Sequence, residues 1–172
     1  FYDTAALWDS SGMEIAEYRK IHLWGDEERH LAKGDSLAIA EFRGWKIALM
    51  ICADLGFAPL SAEAALQGAD VIVYPSAWGG GHHFTELLTV TAQARAMENQ
   101  IYTIVVNRAK GDVNFIGNSV AYGPDGAMLM YMPYDGEGYK EVTLRKDEIT
   151  RVRSLLPWLQ MRRPEVYRKI ET

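Results

Sequence analysis

Short alternating apolar runs open the chain and give way to longer stretches with helical spacing. Thr4 to Trp8 and Met13 to Tyr18 flank Asp9-Ser10-Ser11-Gly12, so the first elements read as two strands joined by a hairpin turn. A polar stretch from Trp24 to Asp35 follows. Leu37 to Phe42 and Trp45 to Ile51 then form a second strand pair around Arg43-Gly44, and the later member is apolar enough to be central. Pro59 to Gln67 reads as a helix, with Pro59 near its first turn and Gly68 just past its end, leading into a strand over Asp70 to Tyr74. A second crossover runs through Gly79-Gly80-Gly81, a long helix from about Phe84 to Asn99 and the strand Ile101 to Asn107. Asn118 to Tyr122 and Met128 to Met132 pair around Gly123-Pro124-Asp125-Gly126, and Gly138 to Leu144 is expected as a further strand. The tail from Lys146 to Thr172 suits a helix and an extended arm. The order predicts an α/β fold with three successive parallel strands, whose carboxyl ends gather Cys52, Ser76 to Trp78 and Asn107-Arg108.

Composition narrows the possibilities. A chain of 172 residues that is 48% apolar suits one compact domain, and no internal repeat or linker divides it. The net charge of −5 comes without a basic block, which disfavours nucleic acid and anionic membrane partners and favours small molecules or proteins. The longest apolar runs, Ile47 to Cys52 and Ile101 to Val106, fall well short of a membrane span. One cysteine allows no internal disulfide and no secretory leader is evident, so the expected location is the cytoplasm. His22, His30, His82 and His83 are too scattered for a zinc site, and the glycine run lacks the lysine and hydroxyl residue of a phosphate loop. No metal or cofactor is expected.

The single cysteine, Cys52, stands where the apolar strand runs out into Ala53-Asp54-Leu55-Gly56-Phe57 before a helix. A thiol attacks as thiolate, and a helix N-terminus or a nearby lysine lowers its pKa, which makes this a candidate nucleophile. The alternative is a buried cysteine acting as a small hydrophobe. Asp54 reads as a partner for backbone N–H groups at the turn, and Arg95 with Glu98 as a structural pair along the long helix.

Tyr18-Arg19-Lys20-Ile21-His22-Leu23 followed by Ile51-Cys52-Ala53-Asp54 resembles the carbon–nitrogen hydrolase (nitrilase) superfamily. The likeness continues through Arg95 to Gln100 into Val105-Val106-Asn107-Arg108, through Gly117-Asn118-Ser119 with Pro124-Asp125-Gly126, and to Arg162-Arg163-Pro164 with Tyr167. It covers residues 1–172 in order, with the C-terminal arm over about 146–172. The resemblance implies an α-β-β-α sandwich and a thioester mechanism on a small amide, with nitriles and carbamoyl compounds as the alternatives. Cys52 would be the nucleophile, with Lys20 and the backbone N–H of Ala53 stabilising the developing charge. A second carboxylate would orient the lysine. Glu27 and Glu28 are the candidates, and spacing from Lys20 favours Glu27 slightly.

The resemblance also implies a general-base glutamate in a segment preceding Tyr2-Asp3-Thr4-Ala5. No residue here matches that motif, and the family's first βα elements are expected to be missing, leaving part of the core uncovered. Gly56 and Ala58-Pro59-Leu60 depart from the arginine and Pro-Glu that many relatives carry after Cys-x-Asp. Trp78 resembles a substrate-binding aromatic or is a hydrophobic cap on its strand, while His82-His83 reads as a solvated pair that could otherwise tune acyl acceptance. Relatives associate through the helical face beside the nucleophile, so a homodimer or larger assembly is implied. The rival expectation is a non-catalytic fragment or pseudoenzyme acting only in assembly.

Overall fold

The computed structural model describes residues 1–81, 83–109, 114–133 and 136–167. His82 and residues 168–172 of the expected arm lie outside the described residues.

Strands β1 (Thr4–Trp8) and β2 (Glu14–Arg19) form an antiparallel two-stranded sheet. β3 (Ala38–Phe42), β4 (Trp45–Leu49), β5 (Val71–Ser76), β6 (Tyr102–Asn107), β7 (Ser119–Tyr122) and β8 (Met128–Met132) make a six-stranded sheet in that order. The pairs β4·β5 and β5·β6 are parallel, and the outer pairs are antiparallel. Parallel neighbours require crossovers, and helices α1 (Ala58–Leu66) and α2 (His83–Asn99) supply them. Each expected crossover is present, and the element bounds shift by one or two residues.

Alternation assigns the two faces of the central strands. Ala48, Ile72, Tyr74, Val105 and Val120 point to one side, where they pack with Ala64 and Ala65 of α1 and Leu88, Ala92 and Ala96 of α2. The small residues on both helices let the backbones lie close to the sheet. Val71 and Tyr102 point to the other side, where Trp45, Ile47 and Ile104 pack around Ile149 of α3 (Lys146–Leu155). Tyr102 also ties that helix down, because its hydroxyl donates to the Arg145 carbonyl at 2.9 Å and accepts the Arg145 N–H at 3.0 Å. A single turn, α4 (Pro164–Tyr167), follows.

One expected strand is absent. Residues 138–144 run as irregular, mostly exposed backbone, although their alternation matches a strand. Alternation marks a two-faced ribbon only where a neighbour supplies ladder partners. Here Leu144 alone packs against the small core around Ile149.

Candidate active site

Two main-chain junctions position the candidate site residues. The first follows β2, where the Lys20 N–H donates to the Asp3 carbonyl at 2.9 Å and the Lys20 carbonyl accepts the Gly34 N–H at 2.8 Å. Lys20 is thereby held on both sides and is 1% exposed. Its ammonium donates to both Glu27 oxygens at 2.8 and 2.6 Å and lies 3.3 Å from the Asp3 carboxylate. Glu27 sits in a short 3-10 helix, Gly25–Arg29, and its carboxylate also accepts the N–H of Trp24 at 2.8 Å, half of a capping box. The choice between the two carboxylates is therefore geometric: Glu27 is bonded to Lys20, while Glu28 pairs with Lys33 at 2.7 Å.

The second junction follows β4. Cys52 opens a 3-10 helix, Cys52–Gly56, that precedes α1, and it adopts a φ of +45°, the left-handed region that residues with a Cβ rarely enter. Such a conformation costs roughly 1–3 kcal/mol and persists only where surrounding structure imposes it. Asp54 provides part of that structure. It is completely buried and accepts the Ile51 N–H at 2.9 Å, the His22 N–H at 3.0 Å and the Tyr18 hydroxyl at 2.7 Å, while His22 Nδ1 lies 2.8 Å from it. The expected backbone role of Asp54 is thus present, together with cross-links from the Lys20 segment. The expected pairing of Arg95 with Glu98 is present at 2.8 Å, and Arg95 also donates to the carbonyls of Leu55 at 2.9 Å and Gly56 at 3.2 Å.

The electrostatics of the thiol correct one expectation. Burial pushes the Cys52 pKa up, and although the Ala77 N–H and the Lys20 ammonium pull it down, Glu27 and Asp3 add to the rise. The net direction is upward, not the depression expected beside a lysine and a helix start. Sequence shows the lysine but not the burial. Burial likewise works against the Lys20 charge, yet Glu27, the Cys52 thiolate and Asp3 together hold its pKa above the ordinary value.

Cys52 and Ala53 open into a pocket of about 340 Å³. Trp78 is one of its walls, so it lines the pocket as well as packing against the core. Asn107, at the carboxyl end of β6, fixes that wall by accepting the Trp78 N–H at 2.8 Å. Arg108 turns away and stacks on Phe115 at 4.5 Å. His83 is exposed at the start of α2. Sequence reasoning singled out Trp78 but gave no role in the site to Asp3, Tyr18 or His22, nor to the other aromatic walls Trp24, Phe57 and Phe84. The signal for Tyr18 and His22 was their position around Lys20, and the signal for Asp3 was its place just before β1. Among the described residues no group of three or more His, Cys, Asp or Glu side chains is placed to hold a metal ion. No helix among them is long and apolar enough to cross a membrane.

A strained cysteine at the end of a parallel strand thus lies within electrostatic reach of a buried lysine clamped by a carboxylate, on an α/β scaffold. The chain belongs to the carbon-nitrogen hydrolase family, whose model matches residues 1–154. It is 33% identical to the "Hydrolase in pqqF 5'region" of Pseudomonas protegens over 96% of this chain and 59% of that protein. It is 31% identical to an (R)-stereoselective amidase of a Pseudomonas species over 95% of this chain and 59% of that protein. Among solved structures it is similar to a mutant of the amidase from Nesterenkonia sp. AN1, solved with acrylamide added at its active site cysteine. That match has 30% identity and a TM-score of 0.79, covering 96% of this chain and 62% of the other. The chain thus spans about three fifths of the length of these relatives. The fold is the mixed α/β arrangement of nitrilase-superfamily structures.

Proposed function

We propose that the protein hydrolyses a small amide through a thioester on Cys52. The observation that carries this reading is that Cys52, in its left-handed turn, lines the pocket while lying within reach of the charges of the buried Lys20–Glu27 pair. Attack by sulfur on the amide carbon forms the C–S bond and drives negative charge onto the amide oxygen. Lys20 and the Ala53 N–H stabilise that oxygen. The tetrahedral adduct collapses, the C–N bond breaks, and ammonia or an amine leaves with a proton. Water then cleaves the thioester, releasing the acid and restoring the thiol. Glu27 holds the ammonium in place and, in this reading, orients the attacking water. The carboxylate that takes the thiol proton is assigned to no residue of this chain.

Two relatives whose names specify an amidase favour an amide over a nitrile or carbamoyl group. Self-association through the α1 and α2 face belongs to the same reading, supported by the exposed Leu66 and Met97 on those helices. Sedimentation of the purified protein tests it.

The decisive experiment incubates the protein with short amides and reads ammonia release together with intact mass. An acyl adduct mapping to Cys52, and loss of ammonia release in Cys52→Ala, are the expected results. Turnover unchanged in Cys52→Ala overturns the nucleophile assignment, and the lack of any adduct or turnover favours a role in assembly alone.

A further inference from the structure

The pocket above Cys52 is chemically one-sided. Its walls are Leu23, Trp24, Phe57, Trp78, Phe84 and Leu87, with Thr91 the only hydroxyl side chain among its described lining residues. No lysine, arginine or histidine among the described residues lines it. Lys20, whose charge acts on Cys52, is bonded to Glu27 and close to Asp3, so that cluster carries two carboxylates for one ammonium. A negatively charged acyl group entering here would lose its hydration, gain no free cation from the described lining residues and approach two anions. An uncharged apolar group meets only favourable surface, and four aromatic rings offer stacked or edge contacts to a ring.

The depth of the pocket has its own determinant. Gly80 has a φ of +118°, and a Cβ there would sit 2.3 Å from the Phe84 ring. Only glycine lets that ring settle against the backbone, so Gly80 fixes where the Phe84 wall stands.

Resting on the amide-hydrolase reading, we infer that the site selects amides of neutral aryl-alkyl acids, and that Phe84, seated on Gly80, sets the length of acyl chain admitted. The test compares kcat/KM of the full protein for phenylacetamide, 4-phenylbutyramide and the monoamide of glutaric acid. Phenylacetamide is expected to exceed the carboxylate-bearing amide by about 100-fold or more. Phe84→Ala is expected to raise the 4-phenylbutyramide to phenylacetamide ratio about tenfold, and Phe84→Leu by less. Preference for the glutaric monoamide overturns the inference, and so does an equal effect of Phe84→Ala on all three substrates. Binding to Cys52→Ala protein, followed by tryptophan fluorescence, separates this inference from the reading beneath it. If no amide is turned over, binding of phenylacetamide but not the glutaric monoamide still supports the neutral pocket, and binding of neither overturns it.

Discussion

The Tyr18 hydroxyl donates to the buried Asp54 carboxylate at 2.7 Å, joining the strand that leads to Lys20 with the turn that presents Cys52. Together with the His22 bonds, this contact makes the spacing between Lys20 and Cys52 a property of one hydrogen-bonded cluster. Tyr18→Phe removes one of the four groups around the carboxylate and should lower stability by about 1–2 kcal/mol. Asp54→Ala strands several buried donors and should cost about 3–5 kcal/mol. Urea denaturation midpoints of the two variants, taken at an unchanged m-value, check both the magnitudes and their order.

Gly34→Ala should be more damaging than its loop position implies. The added Cβ would lie 2.0 Å from the Arg19 carbonyl oxygen, and neither atom belongs to a flexible side chain. Relief requires the loop to lift away from Lys20, at a cost on the order of 2–3 kcal/mol. Thermal unfolding should show the loss, and wild-type stability in this variant would contradict the packing described.

Alkylation of Cys52 by iodoacetamide should report its environment. Because the fold holds the thiol above its ordinary pKa, the rate should keep climbing with pH beyond the range where an exposed cysteine levels off. Below the pKa the climb is about tenfold per pH unit. Lys20→Met removes a group that lowers the pKa, so the profile should move to higher pH. Glu27→Gln removes a group that raises it, so the profile should move to lower pH. Shifts in the reverse order would show that these charges do not act on the thiol as described.

Arg95→Lys keeps the charge but loses the planar fork that reaches the Leu55 and Gly56 carbonyls. The expected destabilisation is about 1–3 kcal/mol. A matching change in Cys52 alkylation rate, read at constant pH, would show that the turn had loosened with it.

Much of this organisation was legible in the chain. The first crossover announced itself through Pro59 and Gly68 and the second through Gly79-Gly80-Gly81 and the long helical stretch that follows, and the strand-end rule grouped Cys52 with Trp78. Lys20 and a carboxylate partner were legible only through the family resemblance, and spacing favoured Glu27 over Glu28 only slightly. The difference lies in which carboxylate the 3-10 turn swings toward the buried ammonium. Residues 138–144 misled because alternation is a local property and strand pairing is not. The direction of the Cys52 shift was illegible because it depends on how much water reaches the sulfur, which no neighbouring residue in sequence reports.

The main-chain clamp on Lys20 has an implication for how this scaffold can change. Asp3 and Gly34 hold the lysine through its own amide and carbonyl, so its location owes little to the identities of the intervening residues other than His22 and Glu27. That same excursion contributes Leu23 and Trp24 to the pocket wall. Variation there can therefore retune what the site admits while leaving the cation where it is. Within that loop the wall positions Leu23 and Trp24 are accordingly the natural place for divergence among descendants of this protein, and the first to randomise in a library seeking new acyl preferences.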